Sequence, residues 1–296
     1  MRGGGRAAPA VVYRFLAALG MTSSGAGSGM ESQDSEAAGG DGSEVRTGSE
    51  QGDLERDLRR ARRRGLFESL GRIYAAFPET TCEGCARCCF ESPGVFYVEY
   101  LQLVEQLGRT ARGRREELIR RALGELMFSW VEASRECVFL ESSRCVLYEQ
   151  RPLACRLFGV TRGADREAAE AEARMAAREE ARRLGRLGIK VPEEVVARSL
   201  ASCDRVRDRE GRRVRVDGDL MAAKVARLDE ALLPREVVVE EFCFRSLPER
   251  LGAAGLGRET VEVLRVQLLR RAQRGERIAD LVEQVVEMAR LPARLR

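Results

Sequence analysis

The chain's 296 residues include 51 Lys or Arg, 47 Asp or Glu, nine cysteines and no histidine, for a formal net charge of +4. The length allows one large or two ordinary domains and a core that needs no covalent staples. The absence of imidazole excludes Ser-His and Cys-His catalytic dyads and every His-containing metal site. The cations are almost all arginine, Lys190 and Lys224 being the only lysines, a bias that reads as base composition rather than phosphate recognition.

Residues 1–52 are rich in Gly, Ser, Ala and acidic side chains. They offer too little apolar surface to offset ordering entropy, so disorder is expected there. The run from Ala7 to Gly20 is interrupted by Arg14 and followed by no cleavage site, which reads against a signal peptide and leaves Met21 or Met30 as alternative starts. No run approaches the length of a membrane span.

A helix is expected over 53–77, with Leu58, Leu66, Leu70, Ile73 and Tyr74 on one face and Pro78 as its stop. Its run Arg59, Arg60, Arg62, Arg63 and Arg64 reads as a solvated face rather than a nucleic-acid surface, because few aromatics accompany it. A short strand at Val95–Val98 should lead into a helix ending near Leu107. A second helix over 114–131 carries Leu118, Ile119, Leu123, Leu126 and Met127 on one face, with Phe128 and Trp130 expected to close the core over the site.

Residues 137–148 read as a hairpin turning at Glu141–Arg144. Cys137 and Cys145 share a face if Phe139 pairs with Leu147, and do not if it pairs with Val146. An Ala-, Arg- and Glu-rich helix over 165–187 is expected as an exposed arm, followed by a short helix from Pro192. A small hairpin beyond Cys203 should turn at Glu210–Gly211, and three helices should finish the chain. The expected fold class is α+β and mostly helical, a compact cysteine module with small β-hairpins. The domains expected are a disordered extension at 1–52, a metal-binding domain at 53–217 and a helical region at 218–296.

The chemistry concentrates at residues 82–89, Cys-Glu-Gly-Cys-Ala-Arg-Cys-Cys, which hold four of the nine cysteines. Two-residue gaps separate Cys82, Cys85 and Cys88, and C-x-x-C turns aim two sulfurs at one point, a metal or two corners of an iron–sulfur cluster. Gly84 lets backbone amides turn inward toward sulfur. Cys137, Cys145, Cys155 and Cys203 are candidate remote ligands, whereas Cys243, in an apolar run, reads as a core thiol. The bacterial ferredoxin spacing fits through Cys88 but then places Ser92, before Pro93, where its fourth cysteine belongs. The radical-SAM spacing fails at Ser92 too. An odd cysteine count, about 3% of residues, suits a reduced, cytoplasmic thiol pool.

The ordered blocks Cys82-x2-Cys85-x2-Cys88-Cys89, Cys137-Val-Phe-Leu, and Cys145-Val-Leu-Tyr-Glu-Gln-Arg-Pro-Leu-Ala-Cys155-Arg resemble the CxxCxxCC, or YkgJ-type, cysteine-cluster family over about residues 78–160. The resemblance implies zinc or iron chelation. Some relatives resemble flagellin lysine methylases, which couple such cysteines to protein methylation. The expected metal ligands are Cys82, Cys85, Cys88, Cys89, Cys137, Cys145, Cys155 and Cys203, enough for two four-thiolate sites or one cluster with spare thiols. A [4Fe–4S] cluster is favoured, with zinc the alternative. Arg151 and Arg156 flank the last motif cysteine, where a guanidinium would stabilise thiolate, and Tyr148 and Glu149 are placed to orient it. The function expected is a metal-binding protein. An iron–sulfur-dependent protein lysine methylase, or a non-catalytic metal-handling or redox protein with a protein partner, is the alternative, and no nucleotide-binding Gly-rich loop supports an enzyme.

Overall fold

The computed structural model describes residues 50–81, 86, 89, 92–129, 136–160, 163–197, 203, 205–232, 245–289, 291 and 293–295. The expected disordered extension therefore lies outside the described residues, apart from its last three positions.

Those positions begin α1 (Glu50–Arg63), which Gly65, with φ at 61°, separates from α2 (Leu66–Ala75). The single helix expected over 53–77 is thus two, because left-handed backbone at a glycine breaks the hydrogen-bond ladder at little steric cost. β1 (Gly94–Val95) leads into α3 (Tyr97–Arg109), and α4 (Arg112–Phe128) follows after one turn. The β2 (Leu140–Glu141) and β3 (Arg144–Cys145) hairpin precedes the short α5 (Leu153–Leu157) and the long α6 (Gly163–Arg186). Then come α7 (Glu193–Val196), α8 (Gly218–Glu230), β4 (Arg245–Ser246), α9 (Leu247–Leu256), α10 (Arg258–Gln273) and α11 (Ala279–Met288). Eleven helices and two antiparallel strand pairs among the described residues make the mostly helical α+β fold the sequence suggests.

The largest core joins Leu58, Leu70, Phe96, Leu101, Leu107, Ile119, Leu123, Leu153 and Leu157 with Val225, Leu251 and Leu295. It draws on residues from both 53–217 and 218–296. Of the two aromatics expected over the site, Trp130 lies outside the described residues, and Phe128 packs with Leu126, Met127, Val261, Leu268, Val282 and Val285 in a second cluster between α4, α10 and α11. The α6 arm is not wholly exposed either, since Leu184 is buried with Ile189, Val195 and Leu269.

Polar side chains fix the helix ends. The carboxylate of Asp229, near the end of α8, accepts from the Tyr97 and Val98 amides at 2.8 Å each. Glu99 accepts from the Phe96 amide at 2.8 Å, so three amides at the start of α3 are satisfied although Phe96 has no capping side chain. Ser246 and Glu249 form a reciprocal capping box on α9. Of the arginine run, Arg60 and Arg64 donate to the Leu232 and Ala231 carbonyls just beyond α8, and Arg62 pairs with buried Glu105. Three of the five arginines therefore hold helices together, where a solvated face was expected. Pairing of Gly94 with Ser246 and of Val95 with Arg245 anchors the exit of the cysteine loop to the start of α9.

Candidate metal centre

Cys82, Cys85, Cys88 and Cys243 lie outside the described residues. The flanks of the loop do not. Thr81 forms an antiparallel bridge with Arg207, its amide donating to the Arg207 carbonyl at 2.9 Å. At the other end Cys89 donates to the Ala86 carbonyl at 2.8 Å, and its own carbonyl accepts from the Cys137 amide at 2.8 Å. One end of the loop is thus tied to the strand-like stretch just after Cys203, and the other to Cys137. Ala86 takes up the left-handed conformation, at φ 58°, which for a residue with a Cβ is a strained position typical of tight functional loops.

The β2–β3 hairpin turns through Ser142 and Ser143, both with positive φ, the geometry of a type I′ turn matched to strand twist. Leu140 pairs with Cys145 and Glu141 with Arg144, and the Val146 amide donates to the Phe139 carbonyl at 2.8 Å. This is the register that would put Cys137 and Cys145 on opposite faces of an extended ladder. The ladder ends before Cys137, however, because Leu140 donates back to the Cys137 carbonyl at 2.8 Å. That turn releases Cys137 from the alternation, and Cys145 lies within its electrostatic reach.

Cys137 is buried. Ser92 Oγ lies 3.7 Å from its sulfur and donates to Glu125 at 2.7 Å, while the Ser92 amide donates to the same carboxylate at 3.0 Å. Burial pushes the Cys137 thiol up to about 12, and the Glu125 carboxylate adds to the rise. The Phe139 amide and the Ser92 hydroxyl pull it back. Without a cation beside it, this sulfur keeps its proton.

Cys155 sits in α5 in a different setting. Pro152 starts that helix, and the Leu153 amide donates to buried Glu99 at 2.6 Å. Glu99 also accepts from the Tyr74 hydroxyl. Burial raises the Tyr74 phenol well above its usual value, and Glu99 adds to the rise. Burial likewise raises the Glu99 carboxyl, against the pull of its three donors and of Arg156. The Arg156 guanidinium lies 4.1 Å over the Tyr74 ring and donates to the Arg151 and Glu149 carbonyls at 2.9 and 2.7 Å. Arg151 in turn lies 4.2 Å over the Tyr148 ring. Tyr148 and Glu149 do steady these arginines, Glu149 through its carbonyl.

Cys203 reaches the same end of the molecule through a close approach. Gly159, four residues past Cys155 and at φ 79°, lies so near the Cys203 backbone that a Cβ there would meet its carbonyl oxygen at 2.8 Å. The hairpin expected beyond Cys203 is reduced to one turn, Asp208 donating to the Arg212 carbonyl at 3.0 Å. Its two arms pair elsewhere, Arg207 with Thr81 and Val216 with the Val160 carbonyl.

Cys137 is therefore a neighbour of Cys89 and Cys145, and Gly159, just past the Cys155 helix, touches Cys203. Among the described residues no three Cys, Asp or Glu side chains form a complete metal site. The donor chemistry still fits zinc or iron–sulfur, since thiolates are the soft donors available and no imidazole competes. Sequence reasoning passed over Glu99 and Glu125, acids inside helical faces that otherwise read as apolar. The only hint was Ser92, at the place of a missing cysteine.

No helix of the described residues is long and apolar enough to cross a membrane. No curated protein and no solved structure matches the chain. Residues 81–179, about a third of the chain, match the family CxxCxxCC, "Putative zinc- or iron-chelating domain"; this span contains Cys82, Cys85, Cys88, Cys89, Cys137, Cys145 and Cys155.

Proposed function

We propose that the chain is a cytoplasmic metal-binding protein that holds an iron–sulfur cluster, or zinc, through thiolates drawn from Cys82, Cys85, Cys88, Cys89, Cys137, Cys145, Cys155 and Cys203. The observation that carries this reading is the attachment of the loop's two ends, Thr81 to Arg207 beyond Cys203 and Cys89 to Cys137. The two ends of the segment that carries the loop cysteines are thereby tied near Cys203 and to Cys137. Three closely spaced cysteines completed by a remote one favour a [4Fe–4S] cluster over zinc.

Metal, sulfide and visible-absorption analysis of anaerobically purified protein tests the proposal. Iron with sulfide, or stoichiometric zinc, is expected, together with a marked loss of stability on chelation, since structural thiolate sites contribute on the order of 10 kcal/mol. Protein that carries neither iron nor stoichiometric zinc as purified, or whose stability is unchanged by chelation, would sink it. A protein lysine methylase built on the same cysteines is separated by calorimetry with S-adenosylmethionine near a millimolar, which gives heat only for the enzyme.

A further inference from the structure

Arg151 and Arg156 stand at the short helix that carries Cys155. Arg62, Arg109 and Arg294 all converge on Glu105, and Arg183 and Arg212 each have carboxylates of their own. Neither Arg151 nor Arg156 forms an ion pair with a carboxylate among the described residues. Arg151 Nε is buried without a hydrogen-bond partner among the described residues. Both guanidiniums are instead held over tyrosine faces, at 4.2 Å over Tyr148 and 4.1 Å over Tyr74. They also lie within electrostatic reach of each other, and Arg156 of Cys155.

Two half-buried cations kept together repel each other and lose hydration; the carboxylate within electrostatic reach of Arg156, Glu99, already accepts from the Tyr74 hydroxyl and the Phe96 and Leu153 amides, so a further anion beside the pair would stabilise it. The structure nevertheless fixes them firmly. Glu99 binds both the Tyr74 hydroxyl under Arg156 and the Leu153 amide that starts the Cys155 helix. The carbonyls of Glu149 and Arg151 clamp the Arg156 guanidinium. One buried carboxylate thus positions the cation and the cysteine together.

We propose that Arg151 and Arg156 are the counter-charge of the thiolate centre, seated by Tyr148, Tyr74 and Glu99 so that the excess negative charge of a Cys-ligated metal is matched at Cys155. A divalent ion with four thiolates carries two negative charges, and the two guanidiniums would balance them. This inference rests on the chelation reading above. It assigns Arg151 and Arg156 as positioning and charge-matching residues, and Glu99 as the anchor that sets Arg156 and Cys155 in register.

The test uses the full chain, reduced and stripped of metal, titrated with Co²⁺ as a spectroscopic probe in competition with a chelator. The sulfur-to-cobalt charge-transfer band reports loading, and the melting temperature of the metal-free protein reports the fold. Arg156→Met should weaken Co²⁺ binding by roughly 10–100-fold, the usual effect of removing a partner behind a ligand, and Arg156→Lys should recover most of it. Arg151→Met is the cleaner variant, because the Arg151 side chain donates no hydrogen bond among the described residues. It should lose several-fold in affinity with an unchanged metal-free melting temperature, and the loss should shrink in 1 M salt, where the screening length falls to about 3 Å.

Wild-type affinity in Arg151→Met and Arg156→Met would overturn the counter-charge assignment and leave chelation standing. So would equal losses in Arg156→Met and Arg156→Lys with Arg151→Met unaffected, which would make Arg156 a strap only. If Arg156→Met does not fold, Arg151→Met and its salt dependence decide alone. Failure of the wild-type protein to give the sulfur-to-cobalt band would overturn the chelation reading, and this inference with it.

Discussion

Gly159 and Cys203 are in backbone contact: a Cβ on Gly159 would lie 2.8 Å from the Cys203 carbonyl oxygen and 2.8 Å from Val206 Cγ2. Gly159 also has φ at 79°, where an L side chain is strained in any case. Gly159→Ala should therefore cost about 1–3 kcal/mol and move Cys203 away from Cys155. Urea unfolding reads the first effect and metal stoichiometry the second. Wild-type stability together with full metal content would show that this close approach is not needed.

Replacement of single cysteines separates ligands from packing. Cys85→Ala, Cys88→Ala and Cys155→Ala should lose most of the bound metal and destabilise the fold, because alanine opens a coordination position. Cys243→Ala should keep the metal and cost about 1 kcal/mol, as a small cavity does. Elemental analysis of the four purified variants checks this. Equal retention in all four would count against chelation by the loop. Cys89→Ala shows whether Cys89 serves the same centre as Cys88 or another one.

Much of this arrangement is legible in the sequence. Period-3.6 apolar faces mark α3 and α4, and Ser142 and Ser143 sit where a turn between two short strands is expected. What escapes is whatever depends on partners far apart in the chain. Phe96 gives no sign of a helix start, because its cap is Asp229, more than a hundred residues away. The register linking Cys137 to Cys145 is set by a turn that pairing rules do not contain. The arginine run looked like a solvated face because the carbonyls of Ala231 and Leu232 that occupy Arg64 and Arg60 belong to a remote helix end.

The buried Cys137 makes a chemical prediction. With its thiol pushed up to about 12, only about 1 in 10⁴ molecules carries the thiolate at pH 8, and thiolate is the form that alkylates. In metal-free, folded protein Cys137 should resist iodoacetamide at pH 8, and unfolding should expose it. Glu125→Gln should speed its modification, since the carboxylate is part of what holds the proton on. Peptide mass mapping after timed alkylation decides the matter. Rapid labelling of Cys137 in the folded state would contradict the packing described around Ser92 and Glu125.

Asp229 gives the fold a pH dependence independent of any metal. Burial is the largest influence and raises its carboxyl to about 7, while the Val98 and Tyr97 amides and Arg250 pull it down and Glu99 pushes it up. In the unfolded chain the same group titrates near 3.9. Between roughly pH 4 and pH 7 the folded state therefore binds the extra proton. The sign follows: this carboxyl's contribution to stability is fullest below about pH 4 and is lost as pH rises toward 7. The span is at most on the order of 4 kcal/mol, three pH units at about 1.4 kcal/mol each. Asp229→Asn removes the titration and keeps an acceptor for the start of α3, so wild-type stability should fall relative to it from pH 4 to pH 7. Asp229→Ala leaves the Tyr97 and Val98 amides buried without that acceptor and should cost about 1–3 kcal/mol for each at every pH. Urea titrations of the three proteins at pH 4, 5.5 and 7 measure both effects. Parallel curves for wild type and Asp229→Asn would mean that the two amides hold the carboxylate ionised throughout, with its folded pKa near the unfolded one.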